Sequence, residues 1–262
     1  MKYLYELYEN NNREVRINDD LVIGGNRKVV MAGPCTVSSY SELLATALRL
    51  KEMGVDVLRG GVFKPRKSPY DYQGLGEEGL EYLIEVRKIV GIPIVVELTD
   101  ISYLDMYIDN VDIIQIGAKN MFNYELLKRL GKTNKPILLK RSMSATYEEW
   151  LLAAEYILKE GNNNVILCER GIRTFETSTR YTLDLQAIPY IHRYSNLPII
   201  VDPSHAAGNR YMIEDMSRAA IAAGSDGLII EAELNPDSAI CDRNQTIDLD
   251  TLDRIVNYSM DN

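Results

Sequence analysis

The sequence predicts an α/β fold, a (β/α)8 TIM barrel preceded by a β-hairpin, and three observations carry that expectation. Eight short apolar runs recur, at residues 29–32, 55–58, 94–96, 113–116, 137–139, 165–167, 199–201 and 228–230. Each is too short and too continuously apolar for an amphipathic helix, as expected of parallel strands buried on both faces. Helical patterns lie between the runs. Finally, 262 residues with 46% apolar content suit one such barrel, which needs about 250 residues.

Residues 13–25 read as the hairpin. Val15 and Ile17 alternate with polar residues, Asn18-Asp19-Asp20 makes the turn, and Leu21, Val22 and Ile23 return. Its place before the first strand suits a plug for the barrel's amino-terminal end. The spacing predicts a helix over 40–53, with Leu43, Leu44, Ala47, Leu48 and Leu50 on one broad face. A second over 78–90 aligns Leu80, Leu83, Ile84 and Val86, and a third over 147–159 aligns Trp150, Leu151, Ala154 and Ile157. Thr146 before Glu149 is a capping-box start. Gly54, Gly91, Gly131, Gly161 and Gly224 follow helical segments where left-handed caps belong. No linker, low-complexity tract or further repeat interrupts this rhythm, so residues 1–262 read as one catalytic domain, with 1–28 as arm and hairpin.

Lys and Arg number 29 against 38 Asp and Glu, a net charge of −9. That argues against a nucleic-acid or anionic-membrane surface and leaves small anions as the partners of local basic clusters. The amino terminus has no apolar signal core and no stretch reaches about 18 apolar residues. Three cysteines, Cys35, Cys168 and Cys241, suggest no disulfide framework and fit a reducing compartment, so a cytoplasmic location is expected.

The most concentrated chemistry lies at 58–74. An apolar run ends at Arg59 and opens into a loop with Lys64, Arg66 and Lys67, four cations within nine residues. Gly60 and Gly61 allow close approach of the backbone, and Pro65 and Pro69 stiffen the loop. A solvated turn is the plainer alternative, but it needs no such rigidity. The loop reads as a phosphate or carboxylate clamp. In barrels of this kind chemistry sits after the strands, and polar residues follow nearly every run here: Cys35, Arg59, Glu97, Gln115 and Lys119, Lys140 and Arg141, Glu169 and Arg170, Asp202 and His205, and Glu231, then Asp242. A charge abutting an apolar run is costly unless paired or bound. Cys35, His205, Glu231 and Asp242 supply one thiolate, one imidazole and two carboxylates, a set suited to a divalent transition metal. Cys168 and Cys241 read as structural, and His192, in a helical stretch, as a surface or packing histidine.

Arg59, Lys64-Pro65-Arg66, Ser68-Pro69-Tyr70, Gly33-Pro34-Cys35, Gln115-Ile116-Gly117-Ala118, Lys140-Arg141, the stretch from Cys168 to Glu176 and Val201-Asp202-Pro203-Ser204-His205 together resemble 3-deoxy-D-arabino-heptulosonate 7-phosphate synthase, type I beta. The resemblance spans about residues 28–247. It implies condensation of phosphoenolpyruvate with erythrose 4-phosphate, the opening step of the shikimate pathway, in a homotetramer or homodimer. It places metal ligands at Cys35, His205, Glu231 and Asp242, for Mn²⁺ or alternatively Fe²⁺, Co²⁺ or Zn²⁺. Phosphoenolpyruvate contacts fall on Arg59, Lys64, Lys119, Lys140 and Arg170, and aldose-phosphate contacts on Pro65, Arg66 and Ser68. Gln115, Glu169 and Asp202 complete the substrate-binding set, and Lys64, Cys35, His205 and Asp242 are the catalytic residues. Three positions depart from the family pattern. Lys119 stands for the usual Arg, a point charge in place of a fork. Ser142 stands for Gly, and Glu233 for a common His, two changes expected to retune affinity or metal choice.

Two other functions compete. The sister 3-deoxy-D-manno-octulosonate 8-phosphate synthases share the chemistry with arabinose 5-phosphate, but their relatives carry a Lys-Ala-Asn-Arg-Ser loop where this chain has Lys64-Pro65-Arg66. A non-catalytic sugar-phosphate sensor would not need the intact metal set. Gly74-Leu75-Gly76-Glu77-Glu78-Gly79 fits a dinucleotide-binding spacing, yet no strand precedes it and two acids sit inside it. Some 28 residues ahead of the barrel leave no room for an extra regulatory domain, so feedback inhibition by aromatic amino acids is not expected.

Overall fold

Eight parallel strands close on themselves in chain order: β3 (Val29–Gly33), β4 (Val57–Arg59), β5 (Ile94–Glu97), β6 (Ile113–Ile116), β7 (Ile137–Lys140), β8 (Val165–Glu169), β9 (Ile199–Val201) and β10 (Gly227–Glu231), with β10 pairing back onto β3. The structure, a computed structural model, describes residues 2–6, 14–66 and 68–262. Arg13 at the head of the expected hairpin and Lys67 of the basic loop lie outside the described residues.

The continuous apolar runs have a direct cause. Successive side chains along a strand alternate between the two faces of the barrel wall. One set, including Val29, Met31, Val57, Val95, Ile113, Leu138, Ile166, Cys168, Ile200 and Ile229, fills the interior. The other, including Val30, Leu58, Ile94, Ile114, Leu139, Leu167 and Ile230, packs outward under the helices. Both faces are dry, so neither position in the alternation is polar. A two-stranded antiparallel sheet, β1 (Val15–Arg16) and β2 (Val22–Ile23), precedes the barrel. Its Val15, Leu21 and Ile23 join the interior cluster, so the hairpin does plug that end.

The outer layer comprises α1 (Tyr40–Glu52), α2 (Glu77–Val90), α3 (Leu104–Asn110), α4 (Tyr124–Gly131), α5 (Tyr147–Lys159), α6 (Ala187–Tyr194), α7 (Pro203–Ala207), α8 (Ile213–Ala222) and α9 (Leu249–Asp261). The Thr146–Glu149 capping box forms at α5, and Trp150 on its buried face donates Nε1–H to the Leu139 carbonyl at 3.1 Å. Two local expectations are corrected. The second barrel strand starts at Val57, two residues late, because the Val55 amide still bonds the Leu50 carbonyl at the end of α1, at 3.0 Å. Gly131 is the last residue of α4 and has no positive φ. Its role is clearance: a Cβ there would lie 2.6 Å from the Ile157 carbonyl oxygen, where α4 crosses α5. No helix among the described residues is long and apolar enough to cross a membrane.

Candidate active site

The carboxyl ends of the strands ring an open cleft of about 500 Å³ whose lining includes Lys64, Pro65, Arg66, Lys119, Lys140, Arg170, His205 and Asp242. Each strand delivers its residue at the point where the ladder stops. Lys140 and Glu169 end β7 and β8, Arg59 ends β4, Glu231 ends β10, and Asp202 follows β9 as the N-cap of α7.

At the floor, one sulfur from Cys35, one oxygen from Glu231 and one from Asp242 lie within 4.8 Å of one another. His205 adjoins this group. The geometry assigns its ring nitrogens: Nδ1–H donates to Asp202 Oδ2 at 2.7 Å, which leaves the Nε2 lone pair 3.3 Å from Glu231 Oε1. Burial draws the imidazole's pKa below its ordinary value despite the neighbouring carboxylates of Asp202 and Glu231. A neutral ring with its lone pair facing a carboxylate oxygen is unfavourable with nothing between them and well suited to a shared cation. The donor set therefore fits a divalent metal. Asp242 reaches it from a left-handed backbone, φ 50°, the one non-glycine positive φ among the described residues.

Cations surround these donors. Arg59, 6% exposed, donates Nη1–H to Glu231 Oε1 at 2.8 Å. Lys64 Nζ lies 3.0 Å from Cys35 Sγ and 3.2 Å from the Cys35 carbonyl oxygen. Burial pulls the Lys64 ammonium down, but Cys35, which takes its hydrogen bond, and the Glu231 carboxylate outweigh it and keep the group protonated. Burial likewise pushes the Glu231 carboxyl up, and the positive charge of Arg59 and Lys64 holds it well below its usual range instead. Lys140 Nζ meets Asp202 Oδ2 at 2.5 Å, with both side chains at most 5% exposed. Arg170 differs from these: its Nη1 is buried and has no hydrogen-bond partner.

The expected residues divide into three groups. Those lining the cleft are named above. Arg59, Cys35, Glu231 and Asp202 form the floor beneath it. Gln115 and Glu169 do not line the cleft: Gln115, on the interior face, donates Nε2–H to the cleft-lining Glu97 Oε2 at 3.0 Å, and Glu169 turns into the wall to take Arg141 Nη1 at 2.9 Å and the Gly171 amide at 2.6 Å. Ser68 Oγ accepts the Tyr70 amide at 3.2 Å and is not among the lining residues. Cys241, read above as structural, stands at the site edge. The neighbouring Cys35 thiol draws the Cys241 thiol below its ordinary range. Its proximity to Cys241, with burial and Glu231, holds Cys35 above the usual thiol range. Cys168 is an interior packing residue, and His192 sits on α6 with Nε2 3.1 Å from Asp226 Oδ2. Sequence reasoning missed Arg180 and Tyr181, which line the cleft, and Gln245, whose Nε2 donates to Glu231 Oε2 at 2.6 Å. All three lie in loops, where no periodicity marks direction.

The sequence model of the DAHP synthetase I family matches residues 10–261. The chain belongs to that family. Within it, a Thermotoga maritima protein named phospho-2-dehydro-3-deoxyheptonate aldolase is 49% identical over 237 residues, covering 90% of this chain and 70% of its own. A Syntrophotalea carbinolica protein named 2-dehydro-3-deoxyphosphooctonate aldolase is 31% identical over 263 residues, covering 92% of this chain and 93% of its own. The crystal structure of DAHP synthase from Thermotoga maritima superposes with a TM-score of 0.93 at 46% identity, covering 98% of this chain and 76% of that one. A truncated form of 3-deoxy-D-arabino-heptulosonate 7-phosphate synthase from the same organism gives 0.90 at 45%, covering 97% and 93%. In this DAHP synthetase I family member, the Cys35, Glu231 and Asp242 donors and the strand-end cations gather at one cleft.

Proposed function

We propose that the chain condenses phosphoenolpyruvate with erythrose 4-phosphate to 3-deoxy-D-arabino-heptulosonate 7-phosphate and inorganic phosphate, opening the shikimate pathway. One observation carries the chemistry: a cleft of fixed cations, one with a buried N–H that has no hydrogen-bond acceptor, adjoins a thiol–carboxylate donor cluster flanked by the His205 imidazole. The identity of 49% to a heptonate enzyme against 31% to an octonate enzyme supports the four-carbon aldose over arabinose 5-phosphate.

Phosphoenolpyruvate brings a phosphate and a carboxylate, so it needs several preorganised positive groups. Arg59, Lys64, Lys119, Lys140 and Arg170 supply them. Pro65, Arg66 and Ser68 take the aldose phosphate. Cys35, His205, Glu231 and Asp242 would hold the metal, Mn²⁺ being the ion proposed. When bound, it would supply a Lewis acid to polarise the aldehyde oxygen. Asp202 fixes the His205 ring by accepting from Nδ1 and holds Lys140 in place. C3 of phosphoenolpyruvate bonds to the aldehyde carbon, water adds at C2 and phosphate departs. Lys64, charged and between floor and cleft, orients both substrates and can hand a proton to the developing alkoxide. A homodimer or homotetramer belongs to the same reading, and Phe175 and Tyr70, 98% and 96% exposed, are rings that a second copy could cover.

The decisive assay follows phosphoenolpyruvate consumption with erythrose 4-phosphate and with arabinose 5-phosphate, each with and without chelator. Turnover restricted to the four-carbon aldose and lost on chelation is expected. Preference for arabinose 5-phosphate would overturn the substrate assignment. In the same assay Arg66→Ala should raise KM for erythrose 4-phosphate roughly ten- to a hundredfold, since a charge-assisted hydrogen bond is worth about 1.5–3 kcal/mol. KM for phosphoenolpyruvate should scarcely move. Equal effects on both would show the cations to be divided differently.

A further inference from the structure

Two arginines, Arg141 just after β7 and Arg170 just after β8, share one feature and differ in another. Each guanidinium lies over a tyrosine ring: Arg141 Cζ is 4.6 Å from the Tyr147 centroid, and Arg170 Cζ is 4.5 Å from that of Tyr181. Arg141 commits Nη1 to Glu169 and Asp184 at 2.9 and 2.8 Å, and Nε to the Ala145 carbonyl at 3.0 Å. It is committed within the wall through both groups. Arg170, 5% exposed, makes no ion pair with a carboxylate among the described residues, and its Nη1 has no acceptor at all. Ser225 Oγ is the only other buried side-chain polar atom in that condition among the described residues. A buried guanidinium donor is costly to leave without a partner. Arg170 lines the cleft, where an anionic ligand would complete it.

Tyr181 is held against Arg170 by the backbone. After β8 the chain runs out and doubles back, with Ile172 and Thr182 exchanging amide–carbonyl bonds of 2.9 and 3.0 Å. The Arg180 and Tyr181 amides then donate to the Ala207 and Ala206 carbonyls at 3.1 and 2.8 Å. The return is tight. Gly171 has φ 94°, and a Cβ there would lie 2.7 Å from Tyr181 Cβ and 3.0 Å from Ala206 Cα. Tyr181 thus rests on fixed backbone and lines the same cleft. Arg173 Cζ approaches its ring at 5.9 Å. Burial pushes the phenol up, but Arg170, then Arg180 and Arg173, outweigh it and hold the group below its ordinary range.

The nature of this support matters. A carboxylate beside Arg170 would occupy its N–H edge, as Glu169 and Asp184 do for Arg141. An aromatic face attracts the guanidinium through its π electrons and leaves that edge free. We propose that Tyr181 is a positioning residue whose ring fixes the plane of the Arg170 guanidinium, so that its unpaired Nη1–H is presented to an acidic group of phosphoenolpyruvate. This assignment rests on the function proposed above.

The test measures equilibrium binding of phosphoenolpyruvate by calorimetry, and steady-state kinetics, for the native chain, Tyr181→Leu, Tyr181→Phe, Arg170→Ala and the Tyr181→Leu/Arg170→Ala pair. Loss of the ring should weaken phosphoenolpyruvate binding roughly five- to thirtyfold, the range for a partly desolvated cation–π contact. KM for phosphoenolpyruvate should rise in step while KM for erythrose 4-phosphate holds. Tyr181→Phe keeps the ring and should stay within about twofold of native. In the Arg170→Ala background, Tyr181→Leu should add less than about twofold, because the two residues act as one unit. Tyr181→Gln, polar and without a ring, serves the same comparison if the leucine loosens the loop. Native-like binding by the ringless variants, or a penalty that persists without Arg170, would overturn the role of Tyr181 while leaving the function intact. Failure of the native chain itself to bind phosphoenolpyruvate would overturn both.

Discussion

Cys35→Ser is expected to lower affinity for a divalent transition metal by on the order of a hundredfold or more, and turnover with it. The thiol lies at the floor with Glu231 and Asp242, the three donor atoms within 4.8 Å. Serine keeps the shape but exchanges an ionisable sulfur for a hydroxyl that does not ionise near neutrality, removing one negative donor from the set. Soft, sulfur-preferring ions should lose most, so Co²⁺ and Zn²⁺ binding should fall further than Mn²⁺ binding. Titration of the metal-free protein with each ion reads this directly, without reliance on activity. Cys168→Ser is the control, since Cys168 packs inside the barrel away from the donors. Native metal affinity in Cys35→Ser would remove the cysteine from the ligand set.

Asp202→Asn should cost about 3–5 kcal/mol of folding stability, the usual result of breaking one side of a buried ion pair. Asp202 is 1% exposed, and its carboxylate receives Lys140 Nζ at 2.5 Å, His205 Nδ1 at 2.7 Å and the His205 amide at 2.9 Å. Burial pushes its carboxyl up, yet His205 and Lys140 outweigh it and hold the group well below the carboxylate range, so it is ionised in the fold. The amide side chain keeps the volume and strands the Lys140 ammonium, 4% exposed. Urea unfolding measures the loss. Replacing both partners, as Asp202→Asn with Lys140→Met, should recover part of it, because the stranded charge is then gone. A single variant as stable as the native chain, or a double variant worse than the sum of the two, would contradict the pairing. Activity should fall in both, since Lys140 faces the cleft and the His205 ring loses the acceptor that orients it.

The fold was legible because its signal is repeated and local. Every one of the eight barrel strands overlaps its apolar run, and the third helix falls on its expected residues, Tyr147–Lys159, where a capping box marks the start. Strand-end residues were legible for a related reason: a barrel sends whatever follows each strand to the same rim, so Lys140, Asp202 and Glu231 could be grouped without knowing any distance. Direction was not legible. Nothing in the pattern around Glu169 says that its carboxylate turns into the wall to meet Arg141, while the adjacent Arg170 turns toward the cleft. Loop contributors were also hidden. Tyr181 and Gln245 reach the site through turns whose paths depend on backbone bonds to Ala206 and Asp242 rather than on any spacing. Gly131 misled because a glycine at a helix end serves clearance as readily as it serves a left-handed cap.

The backbone of Asp242 limits how this site can drift under mutation. At φ 50° a side chain with a Cβ pays roughly 1–2 kcal/mol, and aspartate and asparagine are among the few that visit this region readily. Asparagine would keep the backbone but discard the charge; glycine would relax the backbone but discard the ligand; glutamate would keep the charge but extend it by a methylene from a backbone it tolerates poorly. Every single-residue path away from Asp242 therefore loses either the conformation or the donor. Glu231, which leaves an ordinary strand end, is under no such double constraint. A lineage exploring other metals or other aldoses from this scaffold would be expected to vary around Asp242 while keeping the residue itself.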